Sequence, residues 1–136
     1  MKMKADFVTN SSSTSFVIIS NGEFTKESFF ALVGVSEESP LSPIFATLFE
    51  CLIDNMVPAS DYRARNYYSY DDLVAFVGKE FSEEIAHRVA EAQKRGSRVY
   101  IGELSSDNGE IQSFFCCDSF ELENESIYLN ALECIW

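Results

Sequence analysis

A continuous apolar run near the start of the chain constrains the fold more than any other feature. The run extends from Phe16 to Ile19 and is followed by the turn signal Asn21-Gly22. Because alternate side chains of a strand point to opposite faces of a sheet, a strand that is apolar at every position is favoured where both faces are covered. The sequence therefore predicts a strand over residues 14–20, in the middle of a sheet.

Capping residues and apolar residues at helical spacing predict four helices after this strand. Thr25 and Gly34 mark the ends of the first helix, and Ser42-Pro43 begins the second as N-cap and first helical residue. The predicted helices cover residues 25–33, 42–56, 69–81 and 82–95. The second should bury a broad stripe of Ile44, Phe45, Leu48, Phe49, Leu52 and Ile53, and the fourth should bury Ile85, Val89 and Ala92.

After Gly96 the pattern becomes that of strands, predicted over residues 98–104, 110–117 and 126–136. Asp107-Asn108-Gly109 is a typical hairpin turn between the first two of them. One strand, then helices, then antiparallel strands indicates an α+β fold. We expect a single domain over all 136 residues, in which the first strand joins a C-terminal β-meander to form one sheet.

The chain is strongly acidic, with a net charge of −12, and its acidity increases toward the C-terminus. Residues 97–136 contain eight acidic side chains and one basic side chain, Arg98. Such a charge repels phosphate backbones, so it disfavours direct nucleic-acid binding and favours a basic protein partner. Glu121, Glu123 and Glu125 are predicted partner-binding residues; the alternative is a solvated surface that only keeps the protein soluble.

A second candidate surface is the segment of residues 62–70, where basic and aromatic residues interleave. Tyr and Arg are enriched at the energetic centres of protein interfaces, and they also stack on single-stranded bases. The net charge favours a protein interface, and a third interpretation is a loop whose arginines pair with nearby acids. The candidate residues are Tyr62, Arg63, Arg65, Tyr67, Tyr68 and Tyr70.

The polar run before the first strand contains Asn10, Ser11, Ser12 and Ser13. Such side chains bond nearby backbone groups and hold a tight turn, and successive N–H groups with hydroxyls also suit an anion. A nucleophilic serine needs a base, and the single histidine, His87, has no partner that spacing reveals. The run is therefore predicted to be a turn or a ligand contact.

The segment from Asp6 to Ile18 reads Asp-Phe-Val-Thr-Asn-Ser-Ser-Ser-Thr-Ser-Phe-Val-Ile. It resembles the start of many small bacterial and phage proteins of uncharacterised function, which begin with basic residues, Phe-Val, Thr or Ser, Asn, a serine run, Phe and an aliphatic pair. The resemblance covers 13 of the 136 residues, and Thr14 departs from an all-serine run. It implies a prokaryotic or phage origin and no particular activity.

Metal and redox chemistry have little support in the sequence. Cys51, Cys116, Cys117 and Cys134 form no C-x-x-C pair, so we expect reduced thiols rather than a disulfide or a zinc site. Glu83, His87 and Glu91 share helical spacing, but a second histidine is lacking. We predict no metal and no cofactor. Without a signal peptide or a membrane-spanning stretch, we expect a cytoplasmic protein.

These observations favour a small acidic protein-binding module over an enzyme. With the resemblance, they lead to the hypothesis of a phage or mobile-element protein that inhibits or regulates a basic, nucleic-acid-handling host protein. One alternative is a small enzyme or ligand-binding protein that uses the serine run. Another is a structural or assembly protein of a phage particle; the oligomeric state stays open.

Overall fold

The computed structural model describes residues 13–59, 73–105 and 120–133, which contain four helices and five strands. Residues 107–117, with the predicted hairpin turn and the strand after it, lie outside these ranges. In chain order the elements are β1 (Ser13–Ser20), α1 (Lys26–Val33), α2 (Ser42–Asn55), β2 (Met56–Pro58), α3 (Leu73–Glu80), α4 (Glu83–Arg95), β3 (Arg98–Ser105), β4 (Phe120–Glu123) and β5 (Ile127–Glu133).

The five strands form one antiparallel sheet in the order β2-β3-β1-β5-β4. The N-terminal strand β1 lies at the centre and pairs with β3 on one side and β5 on the other. Phe16 of β1, for example, lies between Gly102 of β3 and Ala131 of β5. The predicted α+β fold, with the first strand joined to the C-terminal strands in one sheet, is therefore confirmed.

Helices cover both faces of the sheet, so the described part of the chain forms three layers with two hydrophobic cores. Phe16 and Ile18 of β1 are buried in the core formed with α1 and α2. Val17 and Ile19, which alternate with them, are buried in the core formed with α3 and α4. The prediction of a central strand covered on both sides is confirmed, and its cause is the alternation of side chains along β1.

The α1 and α2 side of the sheet is held by aromatic packing. Phe24, Phe29 and Phe49 have ring centroids 5.4 to 6.0 Å apart, within the range of favourable aromatic pairs. Helix α1 begins at a capping box between Thr25 and Ser28, as Thr25 Oγ1 accepts from the Ser28 N–H and Ser28 Oγ accepts from the Thr25 N–H. The helix ends at Gly34, whose φ is 75°, so both predicted ends are correct.

Helix α2 differs from its prediction in three ways. Its N-cap is Leu41, without a side-chain cap, so the helix begins one residue earlier than expected. Ile44 and Ile53 are 42% and 38% exposed, because the buried stripe is centred on Leu48 and Leu52 and these two residues lie at its margins. Met56–Pro58 then forms the short edge strand β2. This strand was not predicted, because three residues are too few to show the alternation that is typical of a strand.

Helices α3 and α4 cover the opposite face. Residues 69–72, the predicted beginning of α3, lie outside the described ranges. Ser82 caps α4 by accepting from the Ile85 N–H at 3.1 Å, and Gly96 ends it with a φ of 76°. Ile85, Val89 and Ala92 are buried, as predicted. None of the helices in the described part of the chain has the length and apolar composition needed to span a bilayer.

Candidate functional site

The sheet face under α3 and α4 changes from apolar at its centre to polar at its β4 edge. Val17 of β1 lies opposite Asn130 of β5, which lies opposite Glu121 of β4. The neighbouring row continues from Ile19 to Tyr128 to Glu123. The helices pack over the apolar half, and the polar half extends beside α4. A polar strip of sheet is therefore left facing the outer side of this helix.

A cavity of 410 Å³ lies between α4 and the hairpin formed by β4 and β5; we call it the hairpin groove. Helix α4 contributes residues at positions i, i+3, i+4, i+7 and i+11, which share one face of a helix. Apolar atoms of Ile19, Ile127 and Tyr128 also line it. The remaining lining residues are Asn21, Glu84, His87, Arg88, Glu91, Arg95, Glu123, Asn124, Glu125 and Ser126.

Arg88 reaches from α4 to the hairpin and connects the two walls of the groove. Its Nη1 donates to Glu123 Oε2 at 2.9 Å, and its Cζ lies 4.1 Å from the centroid of the Tyr128 ring. Its Nη2 lies 4.0 Å from Glu84 Oε2. The hydrogen bond to the Glu123 carboxylate raises the pKa of Arg88 above its ordinary value, and nearby negative charge adds to this.

Tyr128 is held by a hydrogen-bond network on the sheet. Its hydroxyl donates to Glu121 Oε2, and Asn130 Nδ2 donates to the Tyr128 hydroxyl at 3.2 Å and lies 3.4 Å from Glu121 Oε2. Burial, together with the bond to the Glu121 carboxylate, raises the pKa of Tyr128 to about 12. Among the residues that the structure describes, Asn130 Oδ1 is buried and has no hydrogen-bond partner. The orientation of the Tyr128 ring is thus set by its own strand and by β4.

The turn between β4 and β5 is anchored to the rest of the fold. Asn124 Oδ1 accepts from the N–H groups of Ser126 and Ile127 at 2.9 and 2.8 Å, as Asn side chains often do in turns. Asn21, which follows β1, donates from Nδ2 to the Glu125 carbonyl at 3.1 Å. The Asn21 N–H also donates to the Ser126 carbonyl at 2.9 Å. These bonds fix the position of the turn between β4 and β5 relative to the end of β1.

The three predicted acidic residues of the C-terminal third lie along this hairpin, in different roles. Glu121 accepts from Tyr128, and Glu123 pairs with Arg88, so both carboxylates take part in internal contacts. Glu125 lies in the turn and is exposed at the mouth of the groove. The structure places all three on one hairpin. They do not form a row of equivalent solvated charges, because Glu121 and Glu123 have internal partners.

The other predicted site residues are only partly within the described ranges. Ser13 is the first residue of β1, opposite Ser105, and Asn10, Ser11 and Ser12 lie outside. The Tyr/Arg segment, which comprises Tyr62, Arg63, Arg65, Tyr67, Tyr68 and Tyr70, also lies outside. In the part of the chain that is described, no group of three or more His, Cys, Asp or Glu side chains is placed to hold a metal ion. Cys51 is half-buried with a free thiol.

Sequence reasoning did not identify Arg88, Tyr128 and Asn130 as parts of one site. A signal was present, because Tyr128 and Asn130 interrupt an apolar strand at alternate positions and so predict one polar face. No signal pointed to Arg88, which lies 35 residues from Glu123. No protein-family model, curated protein or solved structure matches the chain, so its function is inferred from the groove.

Proposed function

We propose that this protein is a small acidic protein-binding module whose hairpin groove receives a basic segment of a partner protein. The supporting observation is that carboxylates line both walls. Glu84 and Glu91 come from α4, and Glu123 and Glu125 come from the hairpin. Among the described residues that line the groove, four are glutamates and two are arginines, one of them already paired with Glu123.

The size and floor of the groove suit a short segment of polypeptide. Its volume of 410 Å³ falls within the range of about 300 to 1,000 Å³ that is usual for binding pockets. Apolar atoms of Ile19, Ile127 and Tyr128 offer a surface for the stems of long side chains, while the glutamates face their charged ends. Lysine and arginine side chains combine an apolar stem with a cationic end, so they match this arrangement.

The net charge and the N-terminal segment indicate which kind of partner the groove would bind. A net charge of −12 favours a protein with a positive surface, such as one that handles nucleic acid, over the nucleic acid itself. The resemblance of residues 6–18 to bacterial and phage proteins supports a phage or mobile-element product that inhibits or regulates such a host protein. The free thiol of Cys51 is in keeping with a reducing, cytoplasmic location.

The test is affinity capture from a bacterial lysate with the tagged full-length protein, at low and high salt, followed by mass spectrometry and a direct binding assay with the captured protein. Two variants probe the groove, Glu91→Lys and Glu125→Lys. Glu121 and Glu123 are less suitable because charge reversal there would also disrupt contacts with Tyr128 and Arg88. Glu50→Lys on α2, an exposed position in the opposite layer, makes the same charge change away from the groove.

We expect one dominant basic partner whose binding weakens at high salt, because exposed charge interactions are screened. Each groove variant should weaken binding at least about fivefold more than Glu50→Lys, since local charge in an interface outweighs distant charge. Equal effects at all three positions would show that only net charge matters. Unchanged binding by Glu91→Lys and Glu125→Lys would place the interface elsewhere and contradict the proposal.

A further inference from the structure

We infer that the hairpin groove contains an arginine-binding site that Arg88 occupies in the free protein, and that an arginine of the basic partner binds by displacing Arg88. The inference rests on the proposed function, because it assigns the residue type that the partner inserts. It adds a defined receptor, made of the Tyr128 ring and the Glu123 carboxylate, and a defined competitor within the chain.

The receptor has the chemical composition that guanidinium groups favour. A guanidinium stacks on an aromatic face and donates two or more N–H bonds to a carboxylate in the same plane. Arg88 lies over the Tyr128 ring, with its Cζ 4.1 Å from the ring centroid, and donates one hydrogen bond from Nη1 to Glu123 Oε2 at 2.9 Å. The intramolecular contact therefore shows how an arginine from another protein would be held.

The Tyr128 ring and the backbone of Glu123 do not depend on Arg88 for their positions. Tyr128 is only 5% exposed, and its hydroxyl is fixed by Glu121 and Asn130. Glu123 belongs to β4, which is paired with β5 through backbone hydrogen bonds. The ring and the backbone of Glu123 would therefore keep their positions when Arg88 leaves, which leaves the Glu123 carboxylate within reach of another guanidinium.

Arg88 is held by contacts that an incoming arginine can replace. Its side chain is 32% exposed and that of Glu123 is 53% exposed, so solvent reaches the ion pair. Exposed ion pairs contribute little net stability, and the second contact of Arg88, to Glu84, is at 4.0 Å. Replacing one guanidinium by another should change the free energy little. Further contacts of the partner with Glu91 and Glu125 would then favour the complex in which the partner's arginine has replaced Arg88.

Lysine should be a poorer occupant than arginine. Its ammonium group is compact and strongly hydrated, and it lacks the planar surface that stacks on a ring. The site therefore predicts selectivity between two side chains of equal charge. Such selectivity separates a shaped receptor from a general attraction between an acidic protein and a cation.

The experiment measures binding of N-acetyl-arginine amide and N-acetyl-lysine amide to the full-length protein by NMR titration of the Tyr128 ring signals. Arg88→Ala removes the internal occupant. Arg95→Ala is the matched control, because Arg95 also lines the groove and carries the same charge, while the described contacts of the Tyr128 ring involve Arg88. Arg88→Gln, which retains most of the side-chain stem, replaces Arg88→Ala if the latter does not fold.

We expect Arg88→Ala to bind the arginine probe about tenfold more tightly than the wild type, which corresponds to a site that Arg88 fills about nine-tenths of the time. Arg95→Ala should change the affinity much less, and adding Glu123→Gln to Arg88→Ala should remove the gain. Equal gains in both alanine variants, no gain in either, or equal binding of the two probes would overturn the exchange. None of these results would contradict the proposed function, which is tested separately by capture of a partner whose binding depends on Glu91 and Glu125.

Discussion

Among the described glycines, Gly102 has the closest neighbours, which come from three elements. It lies in β3, opposite Phe16 of β1 and Met56 of β2. A Cβ atom at this position would lie 2.5 Å from Phe16 Cζ and 2.9 Å from Met56 Cα, and closer still to the carbonyl oxygen of Asn55. The absence of a side chain therefore lets the end of α2 and strand β2 approach the sheet.

Gly102→Ala should destabilise the protein by about 1 to 3 kcal/mol, because two of the three obstructing atoms belong to backbone that cannot move without displacing β2. Urea unfolding followed by circular dichroism measures the change. Gly22→Ala is the control, since a Cβ atom there would meet nothing within 4 Å, and its effect should stay within about 1 kcal/mol. Similar stability of the two variants would show that β2 is not held in place by this contact.

Tyr128 should make the stability of the folded protein depend on pH in the alkaline range. Its pKa rises from an ordinary value of about 10 to about 12 through burial and its bond to Glu121. A group with a raised pKa in the folded state contributes stability that is complete below its unfolded pKa and is lost as the pH rises through the folded pKa. The contribution of Tyr128 should therefore decrease between about pH 10 and pH 12.

The prediction is tested with Tyr128→Phe, which removes the ionisable hydroxyl and leaves the other tyrosines and lysines to titrate as before. The difference in the free energy of unfolding between wild type and variant should shrink as the pH rises above about 10. Urea titrations at pH 8, 9, 10 and 11 give this difference. A difference that stays constant up to pH 11 would mean that the fold does not favour the neutral phenol.

Helix α4 is the element on which both the second core and the groove depend. Its buried side carries Ile85, Val89 and Ala92, and its outer side carries Glu84 and Arg88. Its first turn contains acidic residues and its last turn contains basic residues, an arrangement that complements the helix dipole. The helix therefore has strong local signals at both ends, which explains why its boundaries were predicted correctly.

Ser82→Ala should cost about 1 kcal/mol of folding stability, because it removes the side-chain oxygen that accepts from the Ile85 N–H. Ser82→Asp keeps an acceptor at the same position and should cost less than half as much. Thermal or urea unfolding of the two variants measures the comparison. Equal losses for both would indicate that the serine acts through something other than its cap.

The end of helix α2 carries no sequence signal for the strand that follows it. Asn55 Nδ2 donates to the Cys51 carbonyl at 2.8 Å at the end of the helix, and the chain then continues directly into β2. Pro58 is tolerated in this strand because β2 lies at the edge of the sheet, where a missing N–H leaves no ladder bond broken. In the sequence, a proline next to a helix end indicates a loop. Only the pairing with β3 shows that this segment is a strand.

At the scale of the whole molecule, one central strand joins two cores. Phe16 and Ile18 belong to one core and Val17 and Ile19 to the other, so neither layer of helices can leave without exposing β1. The net charge of −12 is spread over the chain, and screening of this charge is the reason that partner binding should weaken at high salt. The groove concentrates that charge at the edge of the sheet where the helical cover ends.

Local signals in the amino-acid sequence were sufficient to predict several helix ends and the central strand. The capping box at Thr25, the serine cap at Ser82 and the glycines that end α1 and α4 act within a few residues, so they were visible without a fold. The apolar run from Phe16 to Ile19 also required a strand covered on both faces, whatever covers it. These features predicted the fold class and the position of β1 in the sheet.

The position of the groove and the side chain that occupies it depend on contacts that form when the chain folds. Arg88, Glu123 and Tyr128 meet because antiparallel pairing carries β4 and β5 to the edge of the sheet beside α4. The acidic composition of the hairpin was visible in the sequence, but its internal partners were not. Contacts between residues far apart in the chain depend on strand order and register, and these are set by the packing of the whole molecule.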